Sequence, residues 1–195
     1  MMIYKLNFDN IITKEDLNNG NLILFASRPG VGKTQTCIEL IKSFKDNYDF
    51  IYFDLSVGGT NFWQSQSLKI KTDYKSSLEI IRSIEKFVKK ENAKFVIIDY
   101  WQVVENQGEW FLRKLLEFSW EHKLIIIITS QLERLVEKRK NHLPKFKDFR
   151  NVKNIFKFAR KIIVIERPAM YGLDVEDELK YYVYKDVENS YITQE

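Results

Sequence analysis

A single short run of residues constrains this chain more than any other feature. Residues 27–34 read Ser-Arg-Pro-Gly-Val-Gly-Lys-Thr and follow the apolar run Leu22–Ala26. The run matches the pattern Gly-x4-Gly-Lys-[Ser/Thr], except that Ser27 replaces the first glycine, where a small side chain is sufficient. Such a loop turns its backbone N–H groups inward, toward phosphate oxygens, and a helix follows it. The sequence therefore predicts a strand, a phosphate-binding loop and a helix, rather than an ordinary glycine-bearing turn.

The positions of this loop have separate chemical roles. Gly30 and Gly32 let the backbone approach a phosphate with positive φ. Lys33 is expected to reach the β- and γ-phosphates of a nucleotide, and the Thr34 hydroxyl is expected to bind Mg²⁺. We therefore predict a site for ATP or a similar nucleotide, with Mg²⁺, built from nine consecutive residues: Ser27, Arg28, Pro29, Gly30, Val31, Gly32, Lys33, Thr34 and Gln35.

Short apolar runs alternate with helical patterns along the chain. Continuous apolar runs are typical of parallel strands that are covered on both faces. They predict strands at Leu22–Ala26, Phe50–Phe53, Phe95–Ile98, Leu124–Ile128 and Lys161–Ile165, with a last strand near Tyr181–Lys185. Helices are predicted over Lys33–Phe44, Ser76–Lys90, Gly108–Glu121 and, more briefly, Asn151–Ala159. The second of these opens with Ser76 and Glu79 at the spacing of a capping box. This alternation indicates an α/β fold with a mostly parallel central sheet flanked by helices, which binds ligands at the carboxyl ends of its strands.

Composition fits one globular domain. The chain has 195 residues, of which 45% are hydrophobic and 30% are charged, enough for a sizeable core. We expect a single domain over residues 1–195, with a short lead-in over residues 1–20. In the predicted helices, Leu78, Ile81, Ile84 and Val88 are expected on one face. Trp63, Trp110 and Trp120 are expected in the core or in subunit contacts. The formal net charge of +4 is too small to indicate a nucleic-acid partner by itself.

Cysteine usage and hydropathy narrow the cellular setting. Cys37 is the only cysteine, which excludes an internal disulfide framework and a cysteine metal cluster and suits a reducing compartment. His122 and His142 lack metal-ligand spacing and are expected at the surface. No apolar run reaches the ~18 residues of a membrane span, and the N-terminus does not read as a signal peptide. We expect a cytoplasmic protein that does not contact a membrane.

A second acidic position belongs to the same predicted site. The run Phe95–Ile98 ends in Asp99. Many strands end in aspartate, but in a chain with a phosphate loop this acid is expected beside the loop, where it can hold Mg²⁺ directly or through water. Thr34 and Asp99 are therefore the predicted metal residues.

Four motifs in matching order resemble the ATPase domain of DnaB-type replicative helicases. Residues 18–34 are similar to the family's Gly-Asp-Leu-Ile strand and its Ala-Arg-Pro-x-x-Gly-Lys-Thr loop. Ile98-Asp99-Tyr100-Trp101-Gln102 resembles Ile-Asp-Tyr-Leu-Gln, and residues 129–134 resemble Ser-Gln-Leu-x-Arg. Leu143-Pro144 and Asp148-Phe149-Arg150 resemble the Pro and Asp-Leu-Arg pieces that follow. The resemblance covers roughly residues 8–166, and the family's N-terminal domain has no counterpart in this sequence.

This resemblance implies a RecA-like P-loop NTPase fold, ATP as the nucleotide and single-stranded DNA as a partner. It also implies that Gln131 senses the γ-phosphate and communicates with a DNA-binding loop, which makes Lys33, Asp99 and Gln131 the candidate catalytic set. From the residues alone, Gln131 is equally well a solvated amide at a strand end.

Two catalytic positions of the family pattern are changed. Ser56 stands where the family has the glutamate that activates water, and a hydroxyl cannot accept the proton as a carboxylate does. Asp54 lies nearby, but strand alternation does not obviously direct it to the same place. Val187 stands at the position of the arginine finger that a neighbouring subunit contributes, a group worth several orders of magnitude in rate. We therefore predict that the chain binds ATP and that its ATP hydrolysis is weak or absent.

Basic residues follow Gln131. Arg134, Arg139, Lys140 and Lys145 are candidates for contact with a nucleic-acid backbone. A solvated charged loop is an equal alternative.

Three hypotheses follow. The first is an ATP-binding helicase-fold protein that acts on single-stranded DNA in replication, as a homo-oligomer or with another replication protein. The second is a catalytically degenerate nucleotide-binding adaptor or regulator of a replication helicase. The third is a RecA-like recombinase.

Overall fold

One eight-stranded sheet organises the chain in the computed structural model, which describes residues 3–4, 8–55, 68–71, 76–139, 148–149, 153–171 and 177–186. The strands lie side by side in the order β1-β8-β7-β2-β6-β5-β3-β4. Their bounds are β1 Ile3–Tyr4, β2 Asn21–Ser27, β3 Asp49–Asp54, β4 Leu68–Lys71, β5 Ala93–Asp99, β6 Ile125–Gln131, β7 Lys161–Glu166 and β8 Lys180–Asp186.

The sheet is mostly parallel. The six strands from β7 to β4 pair in parallel, and β8 and β1 extend the β7 edge in antiparallel fashion. The predicted α/β class is confirmed, and each predicted strand is present with ends that differ by at most three residues. The two strands that sequence analysis missed, β1 and β4, are short edge strands, and Leu-Lys-Ile-Lys in β4 alternates instead of forming an apolar run.

Helices cover both faces of this sheet. They are α1 Phe8–Ile11, α2 Lys14–Asn19, α3 Lys33–Phe44, α4 Ser77–Phe87, α5 Glu109–Glu121 and α6 Lys153–Phe158. Ser76 caps α4 through the predicted capping box with Glu79. Gly108 is the N-cap of α5 rather than its first residue. Among the described helices, none is long and apolar enough to cross a bilayer.

Three large apolar side chains are exposed. Leu78, Trp110 and Trp120 are each about half exposed, at 50%, 53% and 50%. Leu78 is the second residue of α4, and Ile80 occupies the buried face instead, together with Ile81 and Ile84. The core alternative for the two tryptophans is therefore wrong, because α5 buries Phe111, Leu112, Leu115 and Phe118 instead. The alternative of subunit contacts stays a prediction. His122 is exposed, as predicted, while Trp63 and His142 lie outside the described residues.

The core is divided by the sheet into two clusters. Since side chains alternate along a strand, one set packs against α1 and α3 and the other against α4, α5 and α6. Phe25, Tyr52, Ile97 and Ile127 belong to the α3 face. Continuing the alternation by two residues assigns Ser27, Asp54, Asp99 and Thr129 to this same face, at the carboxyl ends of β2, β3, β5 and β6.

Candidate nucleotide-binding site

The phosphate loop has the predicted backbone geometry. Gly30 has φ 77° and Gly32 has φ 126°, a conformation that residues with a Cβ rarely adopt. Gly32 is the N-cap of α3, and no side chain caps this helix. The helix hydrogen bonds begin with Thr36 N donating to the Gly32 carbonyl over 2.8 Å. The first turn of α3 therefore presents backbone N–H groups and the positive end of its dipole at the loop, as an anion requires.

Lys33 is folded back into this loop. Its Nζ lies 3.0 Å from Ser27 Oγ, 3.3 Å from the Arg28 carbonyl and 3.4 Å from the Ser27 carbonyl. Burial lowers the pKa of Lys33 to about 8, and the charge of Asp99 offsets part of this effect. The Lys33 ammonium thus contacts neutral hydroxyl and carbonyl oxygens. A bound phosphate would offer charged oxygens in their place, and these form stronger hydrogen bonds with an ammonium.

Asp99 receives three side-chain hydrogen bonds. The Thr34 hydroxyl donates to Oδ2 over 2.8 Å, and the Tyr52 hydroxyl donates to the same oxygen over 2.6 Å. The Thr129 hydroxyl donates to Oδ1. Asp99 as a residue is only 4% exposed. Thr34 and Asp99, the two residues expected to hold the metal, are therefore in direct contact, and both present the hard oxygen donors that Mg²⁺ prefers.

No complete metal cage accompanies this pair. Within the described residues, no group of three or more His, Cys, Asp or Glu side chains could hold a metal ion. Magnesium sites in nucleotide-binding proteins usually combine one or two protein ligands with phosphates and water. The uncapped helix, the folded lysine and the Thr34–Asp99 pair therefore fit a magnesium nucleotide.

Gln131 lies at the same edge of the sheet. It is the Cα partner of Ser27 between β6 and β2, and the next residue, Leu132, donates from its backbone N to the Ser27 carbonyl over 2.8 Å. Gln102 links the motif over residues 98–102 to the motif over residues 129–134. Its Nε2 donates to Ser130 Oγ over 2.7 Å and to the Gln131 carbonyl over 3.2 Å. The strand-end amide is thus next to the start of the phosphate loop.

Sequence analysis missed two members of this cluster, Tyr52 and Thr129. Tyr52 lies in the predicted strand Phe50–Phe53, and Thr129 opens the motif over residues 129–134, but neither residue was given a role in the site. The one available signal was a hydroxyl inside a buried strand, since such a group needs a hydrogen-bond partner. The interpretation of Asp54 also changes. It is buried in β3 and is the Cα partner of Asp99, and alternation assigns it to the face that Tyr52 occupies.

The two basic candidates that the structure describes are in different environments. Arg134 is exposed, at the start of the 3-10 helix Arg134–Lys138 that follows β6. Arg139 forms two hydrogen bonds with the carboxylate of Asp148, which is fully buried. These bonds raise the pKa of the Arg139 guanidinium. Arg139 therefore has a structural partner. Lys140, Lys145, Ser56 and Val187 lie outside the described residues.

A further acid lies on the other side of the loop. Glu166 ends β7 and is buried. Burial raises the pKa of Glu166 to about 7, against the hydrogen bond from Tyr182 and the charges of Lys180 and Arg28. Glu166 is therefore coupled electrostatically to the phosphate loop through Arg28.

Together, the sheet order and the loop define a RecA-like P-loop fold. A family model for the DnaB-like helicase C-terminal domain matches residues 60–192. This is more than half of the chain, and the chain therefore belongs to the family of DnaB-like helicase C-terminal domains. The matched range begins after the phosphate loop, so the loop itself is supported by its motif and its geometry.

Individual relatives agree with this assignment. The chain is 26% identical to the replicative DNA helicase DnaB of Mycoplasma genitalium, in an alignment that covers 76% of this chain and 42% of that protein. It therefore spans less than half the length of this curated relative.

Two solved structures share the fold. One, an isolated ATPase domain, has a TM-score of 0.72 at 20% identity, covering 86% of this chain and 78% of that one. The other, a DnaB-like replicative helicase described with its interactions with primase, has a TM-score of 0.74 at 20% identity, covering 86% and 54%. Both similarities concern the fold alone.

Proposed function

We propose that this chain binds ATP with Mg²⁺ and uses that binding to act on single-stranded DNA, as the motor domain of a DnaB-like helicase. The observation that carries the proposal is the convergence of Lys33, Thr34 and Asp99. The ammonium lies inside an uncapped phosphate loop, and the Thr34 hydroxyl donates to the carboxylate over 2.8 Å.

The chemical roles follow from this arrangement. The backbone of residues 27–35 cradles the phosphates, and Lys33 neutralises the β- and γ-phosphates. Thr34 and Asp99 hold Mg²⁺, which neutralises charge on the phosphate oxygens when it is bound. Gln131, at the neighbouring strand end, responds to the γ-phosphate. Its carbonyl accepts a hydrogen bond from Gln102, which joins this strand end to the segment after β5.

The DNA contact is proposed for the basic segment after Gln131. Arg134 and Lys138 are exposed at the two ends of the 3-10 helix that leads into this segment, and Lys140 and Lys145 follow in the sequence. Basic side chains along a single strand bind its phosphates with a strong dependence on salt. Arg139 is a weaker choice for a test, because its change would also remove an ion-pair partner from a buried carboxylate.

Hydrolysis depends on two positions that differ from the family pattern. Ser56 and Val187 stand at the positions of the family's glutamate and arginine finger, and these changes favour the second candidate function, a nucleotide-binding adaptor or regulator of a replication helicase. Membership of the DnaB-like family favours the motor and the adaptor functions over that of a recombinase. We further propose that the chain works as a homo-oligomer or with another replication protein, in the cytoplasm, where the buried free thiol of Cys37 suits a reducing compartment.

ATP turnover with and without single-stranded DNA separates the two candidates. The motor hypothesis predicts that single-stranded DNA stimulates ATP turnover and that Lys33→Ala abolishes this turnover. It also predicts that the stimulation by DNA weakens when Arg134 and Lys138 are both changed to Ala. Changing two exposed lysines near the end of α3, Lys42 and Lys45, to Ala gives a matched control that removes the same charge elsewhere.

The adaptor hypothesis predicts a different pattern. Turnover stays at background with or without DNA, although nucleotide binding persists. Ser56→Glu then restores turnover if the missing carboxylate is the reason. DNA-independent background turnover in the wild-type chain would exclude the motor function.

A further inference from the structure

The carboxylate of Asp99 is held from three separate elements. Thr34 reaches it from α3, Tyr52 from β3 and Thr129 from β6. Oδ2 accepts two of these hydrogen bonds and Oδ1 accepts the third. Only Thr34 belongs to the phosphate loop. The other two donors lie on the strands that flank β5 on either side.

Tyr52 reaches Asp99 because of the register between β3 and β5. Its Cα partner is Ile97, two residues before Asp99 on the same face of the sheet. The ring is buried in the cluster of the α3 face, 2% exposed, and its length along the strand delivers the hydroxyl to Oδ2 at 2.6 Å. A phenylalanine would fill the same apolar space, so the hydroxyl serves the hydrogen bond.

The phenol acts as a neutral donor. Burial raises the pKa of Tyr52 far above its ordinary value, and the neighbouring charge of Asp99 raises it further. The hydroxyl therefore keeps its proton and donates a hydrogen bond to Oδ2 of Asp99.

The two flanking hydroxyls have a consequence for the metal site. Thr34 is the residue whose hydroxyl would bind Mg²⁺ beside the phosphates, so its hydrogen bond with Asp99 is part of the metal site. Tyr52 and Thr129 hold the Asp99 carboxylate from outside the metal site, and their hydrogen bonds do not involve Thr34. Groups that orient a metal ligand through hydrogen bonds commonly set the affinity of the site.

We infer that Tyr52 and Thr129 are positioning residues of the magnesium site, which hold Asp99 in the orientation that Mg²⁺ and the Thr34 hydroxyl require. This inference rests on the proposed binding of a magnesium nucleotide. It predicts that the two hydroxyls contribute to the Mg²⁺-dependent part of nucleotide affinity and not to the part contributed by the phosphate loop and Lys33.

The test measures the affinity of a fluorescent ATP analogue for the full chain, once with Mg²⁺ and once with a chelator. For Tyr52→Phe and for Thr129→Val we expect the gain in affinity from Mg²⁺ to fall roughly tenfold. The affinity in chelator should stay at the wild-type value, which also reports that each variant is folded. Thr129→Ser, which keeps the hydroxyl, should restore the gain.

Tyr181→Phe is the matched control. Tyr181 is another buried tyrosine on the α3 face, and its hydroxyl lies 3.2 Å from Thr36 Oγ1. Its loss should leave the Mg²⁺ gain unchanged.

An unchanged or larger Mg²⁺ gain in both Tyr52→Phe and Thr129→Val overturns the inference while the proposed function stands. A wild-type chain whose nucleotide affinity does not respond to Mg²⁺ overturns the proposed function, and the positioning role with it.

Discussion

At the scale of single residues, Glu166 makes stability depend on pH. An unfolded glutamate loses its proton near pH 4.5, whereas the folded chain retains it until about pH 7. The folded state therefore binds more protons in this window, and its stability falls as the pH rises through it. Glu166→Gln keeps the side chain neutral, so we expect the variant to be more stable than wild type at pH 8, by at most about 3 kcal/mol.

Urea denaturation at pH 5 and pH 8 measures this effect. The advantage of Glu166→Gln should be large at the higher pH and nearly absent at the lower. Glu121→Gln, at an exposed acid that ends α5, should change stability little at either pH. An equal change in unfolding free energy for Glu166→Gln at both pH values would contradict the raised pKa of Glu166 in the folded chain.

The residues of the site differ in how well the sequence predicts them. Lys33, Thr34 and Asp99 were predicted, because motif spacing specifies both their chemistry and their place at a strand end. Tyr52 and Thr129 were not predicted. Their contacts with Asp99 depend on which strands are neighbours and in what register, and a sequence pattern does not contain strand order.

At the scale of elements, a buried ion pair attaches α2 to the sheet. Lys161, the first residue of β7, donates from Nζ to Asp16 Oδ2 over 2.8 Å, and to the Ile11 carbonyl over 3.2 Å. Asp16 also accepts hydrogen bonds from Thr13 and from the Asn21 side chain. Burial alone would raise the pKa of Asp16, but the charge of Lys161 and these hydrogen bonds together outweigh it, and the pKa is lowered. The sequence identified Lys161 only as the start of a strand. In the structure its ammonium binds α1 through the Ile11 carbonyl and α2 through Asp16.

Breaking this pair should be costly. Lys161→Met leaves a buried carboxylate without its cation, and we expect a loss of about 3–5 kcal/mol of unfolding free energy. Adding Asp16→Leu removes the orphaned charge and should recover much of that loss. Urea denaturation of the single and double variants measures both effects. A loss below about 1 kcal/mol in Lys161→Met, the range of an exposed pair, would show that the pair is not buried in solution.

At the scale of the whole molecule, local patterns predicted the parallel body of the sheet and the principal helices. Continuous apolar runs identify buried strands, and the capping box identifies the start of α4. The antiparallel extension through β8 and β1, and the short strand β4, depend on long-range pairing, which such patterns describe poorly. The assembly of the described site residues at one edge follows from the parallel topology, because every parallel strand delivers its carboxyl end there.

The central claim is that this edge binds a magnesium triphosphate through Lys33. Calorimetric titration of the chain with ATP in the presence of Mg²⁺ tests it most directly, with Lys33→Ala compared against Lys42→Ala, an exposed lysine on the same helix. We predict saturable binding to the wild-type chain and to Lys42→Ala, weakened roughly ten- to a hundredfold in Lys33→Ala by the loss of charge-assisted hydrogen bonds. Absence of binding to the wild-type chain, or equal affinity in all three proteins, would contradict the account.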